Sequence, residues 1–368
     1  MTSRPYIGGQ AVLEGVMMRA PKSFAVVVRR RDGSLLVRER ATTEVRRGIA
    51  RWPFVRGIAS LVESLRLGSE ALRFSIEQME ADMPGSAATS GAGLGVLAAL
   101  GVWVAAVVAR ADGEGTADGA ASGKRVGAGG GLMLALAIGF FVALPQGLAA
   151  VVNRVLGLGL PVQSAGFQAI TGVLKLVIVL GYMLAIRRVP EIKRMFQYHG
   201  AEHKTITTYE AGEALVVDNA RSKTTFHARC GTTFLVMVVF VSIGLFALLG
   251  ASLPRIHTGN AVFDNILFFG CKLPFLPVLV AITFELQRLL ARYAATGPLR
   301  VLLWPGFLVQ RITTAEPDDG QLEVALASLR ATLFRQELEQ EQGRSTVAHG
   351  DVQFPSYAAL AAAPSLRG

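Results

Sequence analysis

Charge is scarce in this chain of 368 residues: Asp, Glu, Lys and Arg make up 17% of it, against 51% hydrophobic residues. Soluble domains carry about 25% charged residues, so the deficit excludes an ordinary soluble composition, and a mean hydropathy of +0.43 points the same way. With only two cysteines, Cys230 and Cys271, a disulfide framework is excluded and a reducing, cytoplasm-facing setting is compatible. Acids are outnumbered by bases, 27 to 37, for a net charge of +10. The basic runs nonetheless lack interleaved aromatics and any nucleic-acid motif, so no nucleic-acid partner is expected. Residues Met1 to Pro5 lack the apolar core of a signal peptide, and insertion into a membrane is expected to rest on internal segments.

Those segments are present. Leu132–Val152, Gly166–Ile186 and Thr232–Ser252 each approach the ~20 residues that cross a ~30 Å hydrocarbon core. A fourth run, Ile266–Leu289, contains Pro274 and Pro277 and is expected to kink, and a fifth, Gly93–Ala109, is shorter and rich in Gly and Ala. Lys and Arg concentrate in residues 1–92, 187–231 and after 290, which assigns the N-terminus, the 187–231 segment and the C-terminus to the cytoplasmic side. An even number of crossings must then lie between 92 and 187. Four full crossings satisfy that, with Gly93–Ala109 re-entrant or, as the alternative, a fifth crossing. Lys175 falls inside an apolar run and calls for a partner or a wet cavity, with Glu285 as one partner.

The expected fold is mainly α: a polytopic helical membrane protein in contact with the lipid bilayer, with a small N-terminal β unit. Residues 1–48 form the β unit, with a hairpin at Asp32-Gly33 between two β-rich runs. Residues 49–83 read as an amphipathic helix that lies on the membrane or packs on the β unit. Weak apolar sequence and Gly/Ala/Ser linkers fill 84–131, the membrane domain 132–290, a cytoplasmic helical segment 291–341 and a disordered tail 342–368.

Three of the five histidines lie between Pro190 and Cys230. Pro190 suits a first helical position and Gly212 a helix end, predicting one helix over 190–211. On it, His199, Glu202 and His203 form H-x-x-E-H, in which imidazoles four apart share a face and can ligate a metal while the carboxylate serves as base. Folding would bring in the third ligand from His227, Cys230, Glu285 or Glu14. Glu210 lies ~10 Å further along the axis, too far to join the same ion, and suits a second ion or a supporting hydrogen bond. His199, His203, His227 and Cys230 together would instead close a tetrahedral structural zinc site with no open position. The plainest alternative is a polar cytoplasmic face of hydrogen-bonded histidines that binds nothing. Arg19 or Arg229 could clamp an anionic substrate or be a juxtamembrane charge.

Four blocks resemble the YqhQ-like family of bacterial multi-pass membrane proteins: Gly8 to Arg19, Phe196 to Lys204, His227 to Thr232, and Pro305 to Asp319. That resemblance implies a predicted metal-dependent enzyme of unestablished reaction, in the bacterial plasma membrane, with His199, Glu202, His203, His227, Cys230 and Glu14 as its functional residues. The chain departs from the family in its glycine-rich 110–131 insertion and in Ala228, where proline is expected. The resulting expectation is a hydrolase with a divalent ion, zinc by donor type, acting on a lipid-linked or membrane-protein substrate. The alternatives are a non-catalytic scaffold or regulator with structural zinc and a transporter or channel, suggested by Lys175 and the proline-broken segments.

Overall fold

The computed structural model describes residues 4–42, 52–82, 143–293, 297–341 and 351–363. Its N-terminal part is an antiparallel meander of β1 (Gly8–Val12), β2 (Gly15–Ala20), β3 (Ser23–Arg29) and β4 (Leu35–Ala41). The Asp32-Gly33 turn closes the β3–β4 hairpin, with Gly33 at φ 87° and the Asp32 carboxylate accepting from Ser34 N–H at 2.9 Å.

Strands β2 and β3 are apolar on both faces because both faces are covered. Helix α1 (Val55–Ala81) lays Leu67, Ala71 and Phe74 against Met17, Phe24, Val26 and Leu36. The amphipathic helix expected over 49–83 therefore packs on the β unit. Its first turn reaches the apolar helices, where Gly57 meets Phe284 and Arg56 pairs with Glu285.

Among the described residues, three helices are long and apolar enough to cross a membrane: Ala165–Ile186, Gly231–Ser252 and Val262–Tyr293. The first is α3 and the second α6, following a shorter α2 (Leu144–Val155). The third is α7 (Ala261–Lys272) running through a 3-10 turn at Leu273–Phe275 into α8 (Leu276–Tyr293), so the two prolines tighten one turn without ending the rod. Of the expected Leu132–Val152 crossing only the part within α2 is described, and Gly93–Ala109 and the linkers around it lie outside the described residues.

Between α3 and α6 come α4 (Pro190–Ala211) and a short α5 (Val217–Arg221), and after α8 come α9 (Trp304–Thr313) and α10 (Asp319–Glu341). Helix α10 lies on the sheet face opposite α1, with Leu322, Leu326 and Leu329 in one core with Val16, Met18, Val27 and Leu35. The sheet is thus the middle layer of three.

Two expectations are corrected. The tail was expected to be disordered over 342–368, but β5 (Val352–Phe354) pairs with β4 and α11 (Tyr357–Ala362) buries Leu360 in the same core. Unpaired backbone at the β4 edge explains the docking, since a fifth strand satisfies it. Glu285 does not serve Lys175: it accepts from Arg56, and main-chain N–H of Phe54 reaches it at 3.3 Å.

Candidate metal centre

Helix α4 begins with Pro190 at its first position and ends on Gly212 in the left-handed region at φ 78°, so its register is set at both ends. That register puts His199, Glu202 and His203 on the side facing β1 and the start of α6. A Cβ at Gly9 would lie 2.7 Å from Glu202 Cγ, so β1 approaches the glutamate where only glycine leaves room.

His199 Nδ1 lies 2.9 Å from the carbonyl oxygen of Thr313. His203 Nδ1 makes the same kind of contact to the Thr225 carbonyl. A carbonyl only accepts, so both Nδ1 atoms carry hydrogen and both Nε2 atoms are left for other partners. His199 Nε2 stands 3.2 Å from Cys230 Sγ. One ligand atom each from His199, His203 and Cys230 lies within 4.8 Å of the others. Donor atoms bound to one zinc at ~2.0 to 2.3 Å are spaced within that limit.

Cys230 is the N-cap of α6, its sulfur accepting from Thr232 N–H at 3.4 Å. Burial would raise its pKa, but the neighbouring His199 charge and hydrogen bonds from His199 and His203 pull it well below the ordinary thiol value. The positive end of α6 favours the same thiolate. Burial opposes a charge on His199, yet the thiolate outweighs it and lifts that imidazole to about 9. His203 moves down, through burial and then the His199 charge. The His199 and Cys230 shifts run in the same sense, toward imidazolium and thiolate.

Glu202 is buried, and burial lifts its carboxyl to about 7 against the pull of His199. Its Oε2 has no hydrogen-bond partner, while the main chain of Ala11 on the β1 edge offers the carboxylate a hydrogen bond. A buried carboxylate oxygen without a donor is costly, and here it borders the histidine and cysteine donors.

The other sequence-derived residues fall around this group or away from it. His227 lies beside it, its ring 5.6 Å from that of His203, with Nε2 at 3.4 Å from Glu210. Glu210 also pairs with Arg229, whose guanidinium stands 4.7 Å over the Tyr6 ring. Glu14 is occupied by Arg194 through two 2.5 Å contacts and by Tyr198 at 3.2 Å. Arg19 pairs with Glu63 at 2.9 Å. Neither Glu14 nor Glu285 joins the donors.

Sequence reasoning passed over Gln310. Fully buried, it accepts from His227 N–H at 2.9 Å and donates to the His227 carbonyl at 2.8 Å and to Thr233 Oγ1 at 2.8 Å. It therefore holds the loop that delivers Cys230. Thr225 and Thr313 act through main-chain carbonyls, which leave no side-chain signal. Gln310 and Thr313 do fall in the Pro305 to Asp319 block, a signal that could have flagged them.

Comparison with known proteins gives two findings. A family described as "Protein of unknown function (DUF1385)" matches residues 52–335. The uncharacterized protein YqhQ of Bacillus subtilis (strain 168) is 29% identical over 339 residues, covering 92% of this chain and 95% of the relative. No solved structure matches.

Proposed function

Since the chain belongs to the DUF1385 family, whose description assigns no function, its chemistry must be read from the site, and we propose a membrane-embedded, metal-dependent hydrolase. The observation that carries this reading is the trio itself. His199, His203 and Cys230 converge with both Nδ1 atoms tied to carbonyls. Backbone-anchored imidazoles whose Nε2 atoms turn toward a third donor, here the Cys230 sulfur, are the arrangement by which proteins orient metal-ligating histidines.

Two nitrogens and a thiolate suit zinc, which at an open fourth position supplies Lewis acidity and makes water a nucleophile near neutral pH. Glu202 supplies the base: its unpartnered Oε2 takes the proton of the attacking water and returns it to the leaving group. Cys230 immediately precedes the apolar helix Gly231–Ser252, so the site sits at one end of the candidate spans, where lipid-linked or membrane-protein substrates are within reach. In this reading that end faces the cytoplasm of a bacterial plasma membrane, as the cation distribution favours.

The rival reading, a scaffold or regulator with a closed structural zinc site, needs His227 as a fourth ligand. Its engagement with Glu210 speaks for the open site.

The test is metal content per chain in detergent-solubilised protein, wild type beside His199→Ala with His203→Ala. Near-stoichiometric metal in the wild type and its loss in the variant is the expected result. A wild type that stays metal-free after reconstitution with zinc, manganese or iron would end the proposal.

A further inference from the structure

Away from the metal centre, the apolar helices contain two lysines. Along α3, Gln168, Thr171, Gly172, Lys175 and Val179 recur at helical spacing, and all but Lys175 are buried. The opposite side, with Val173 and Val177, is more than half exposed. Gly172 lies against Ile243 of α6, so the stripe carrying Lys175 is the one packed into the bundle.

Lys272, at the end of α7, is 6% exposed and donates from Nζ to Gln168 Oε1 at 2.9 Å. Its ammonium also stands 4.6 Å from the Phe268 ring centre and 5.1 Å from that of Phe246. Gln168 and Lys175 are seven residues apart, on one side of α3 and ~10 Å apart along its axis. Side chains on a helix lean toward its N-terminus, which brings the Lys175 ammonium up toward Gln168 and Lys272. Lys272 therefore meets the same stripe of α3 that carries Lys175.

Nothing acidic in these helices answers them. Asp264 accepts from Thr258 through main-chain N–H at 2.8 Å and through the hydroxyl at 2.7 Å, and Glu285 is taken by Arg56. The apolar runs Gly93–Ala109 and Leu132–Val152 contain no Asp or Glu. Among the described residues Lys175 has no hydrogen bond or ion pair. Two like charges among apolar helices are costly unless a counter-charge is bound.

We propose that Lys175 and Lys272, the second held in place by Gln168, whose own Nε2 is tied to the Val162 carbonyl, form an anion site that takes a phosphate group. Phosphate oxygens accept from both ammonium groups at once, replacing repulsion with two charge-assisted hydrogen bonds. Gln168 lies one turn from Ala165, where α3 begins, so the site is at the end of α3 remote from α4 and the metal centre. A headgroup phosphate reaches that depth at the bilayer edge, and inorganic phosphate is the other source of the same group.

The experiment uses the full chain in mild detergent with three probes: phosphatidylglycerol, phosphatidylcholine and inorganic phosphate. Native mass spectrometry reads lipid bound per chain, and the thermal unfolding midpoint reads phosphate against chloride. The expected result is one retained phosphatidylglycerol, preferred over phosphatidylcholine, with binding about fivefold weaker in Lys175→Gln and restored in Lys175→Arg. A midpoint raised by phosphate and not by chloride, lost in Lys175→Gln, would identify the soluble anion as occupant and support the site equally. Equal binding of the two lipids without a phosphate effect would overturn the proposal, as would Lys175→Gln binding like wild type. Because Lys175 is only partly buried, its Gln variant tests the site even if Lys272→Gln fails to fold.

Discussion

Gly200 and the main chain of Ala315 approach so closely that a Cβ on residue 200 would lie 2.1 Å from the Ala315 carbonyl oxygen. Ala315 N–H donates to the Phe196 carbonyl at 2.9 Å, strapping the segment after α9 onto α4 and setting the Thr313 carbonyl against His199 Nδ1. Gly200→Ala must push the strap away. The expected cost is ~1 to 3 kcal/mol, as for overpacking, with weaker metal uptake because His199 loses its anchor. Denaturant unfolding and a zinc titration of the variant would check both, and wild-type behaviour in each would refute the strap.

Gln310 is the second anchor. Gln310→Ala leaves His227 N–H, the His227 carbonyl and Thr233 Oγ1 without their buried partner. Each unsatisfied group costs ~1 to 3 kcal/mol, and loss of a group that orients ligands weakens metal affinity ~10 to 100-fold. Gln310→Glu keeps the acceptor and loses the donor, so it should cost the His227 carbonyl its contact, whereas His227 N–H still donates and the Thr233 hydroxyl can turn to donate. A metal affinity unchanged in Gln310→Ala would show that the loop holds Cys230 without it.

Metal uptake should depend on pH in one direction. His199 is raised to about 9 by the Cys230 thiolate, so in the metal-free protein it carries a proton on Nε2 that a metal must displace. Uptake then releases one proton, and affinity rises about tenfold per pH unit below the folded pKa. Zinc competition at pH 6, 7 and 8 should show that slope. Affinity flat across the window would mean that the pair holds no proton for the metal to displace.

Glu202→Gln separates a base from a ligand. Metal content should stay at the wild-type level, since Glu202 lies outside the trio of donors, while turnover of any substrate found should fall by at least about a hundredfold. The metal-free variant should be no less stable, because Glu202 Oε2 has no donor to lose. Metal lost along with the carboxylate would make Glu202 a ligand.

Local chemistry explains what could be read in advance. Pro190 and Gly212 act on the backbone of their own helix, so α4 runs over Pro190–Ala211, the expected 190–211. The Asp32-Gly33 turn likewise marks its hairpin without distant help. The spacing of His199 and His203 places two imidazoles together on any helix. The choice among His227, Cys230, Glu14 and Glu285 was not local. It depends on Arg194 and Tyr198 occupying Glu14, on Arg56 occupying Glu285, and on Gln310 holding the loop before α6. Strand β5 escaped notice because three residues carry little pattern and acquire their structure from the β4 edge.

By itself the sequence determined the apolar helices, the hairpin and the pair of histidines on one face, because each follows from residue type and spacing within a single element. Tertiary structure alone decided that Cys230 meets them, that Glu202 is buried with an unpartnered oxygen, and that Lys175 and Lys272 share one neighbourhood. Those relationships join residues 27 to 97 positions apart, and only the packing of whole helices and the sheet sets such distances.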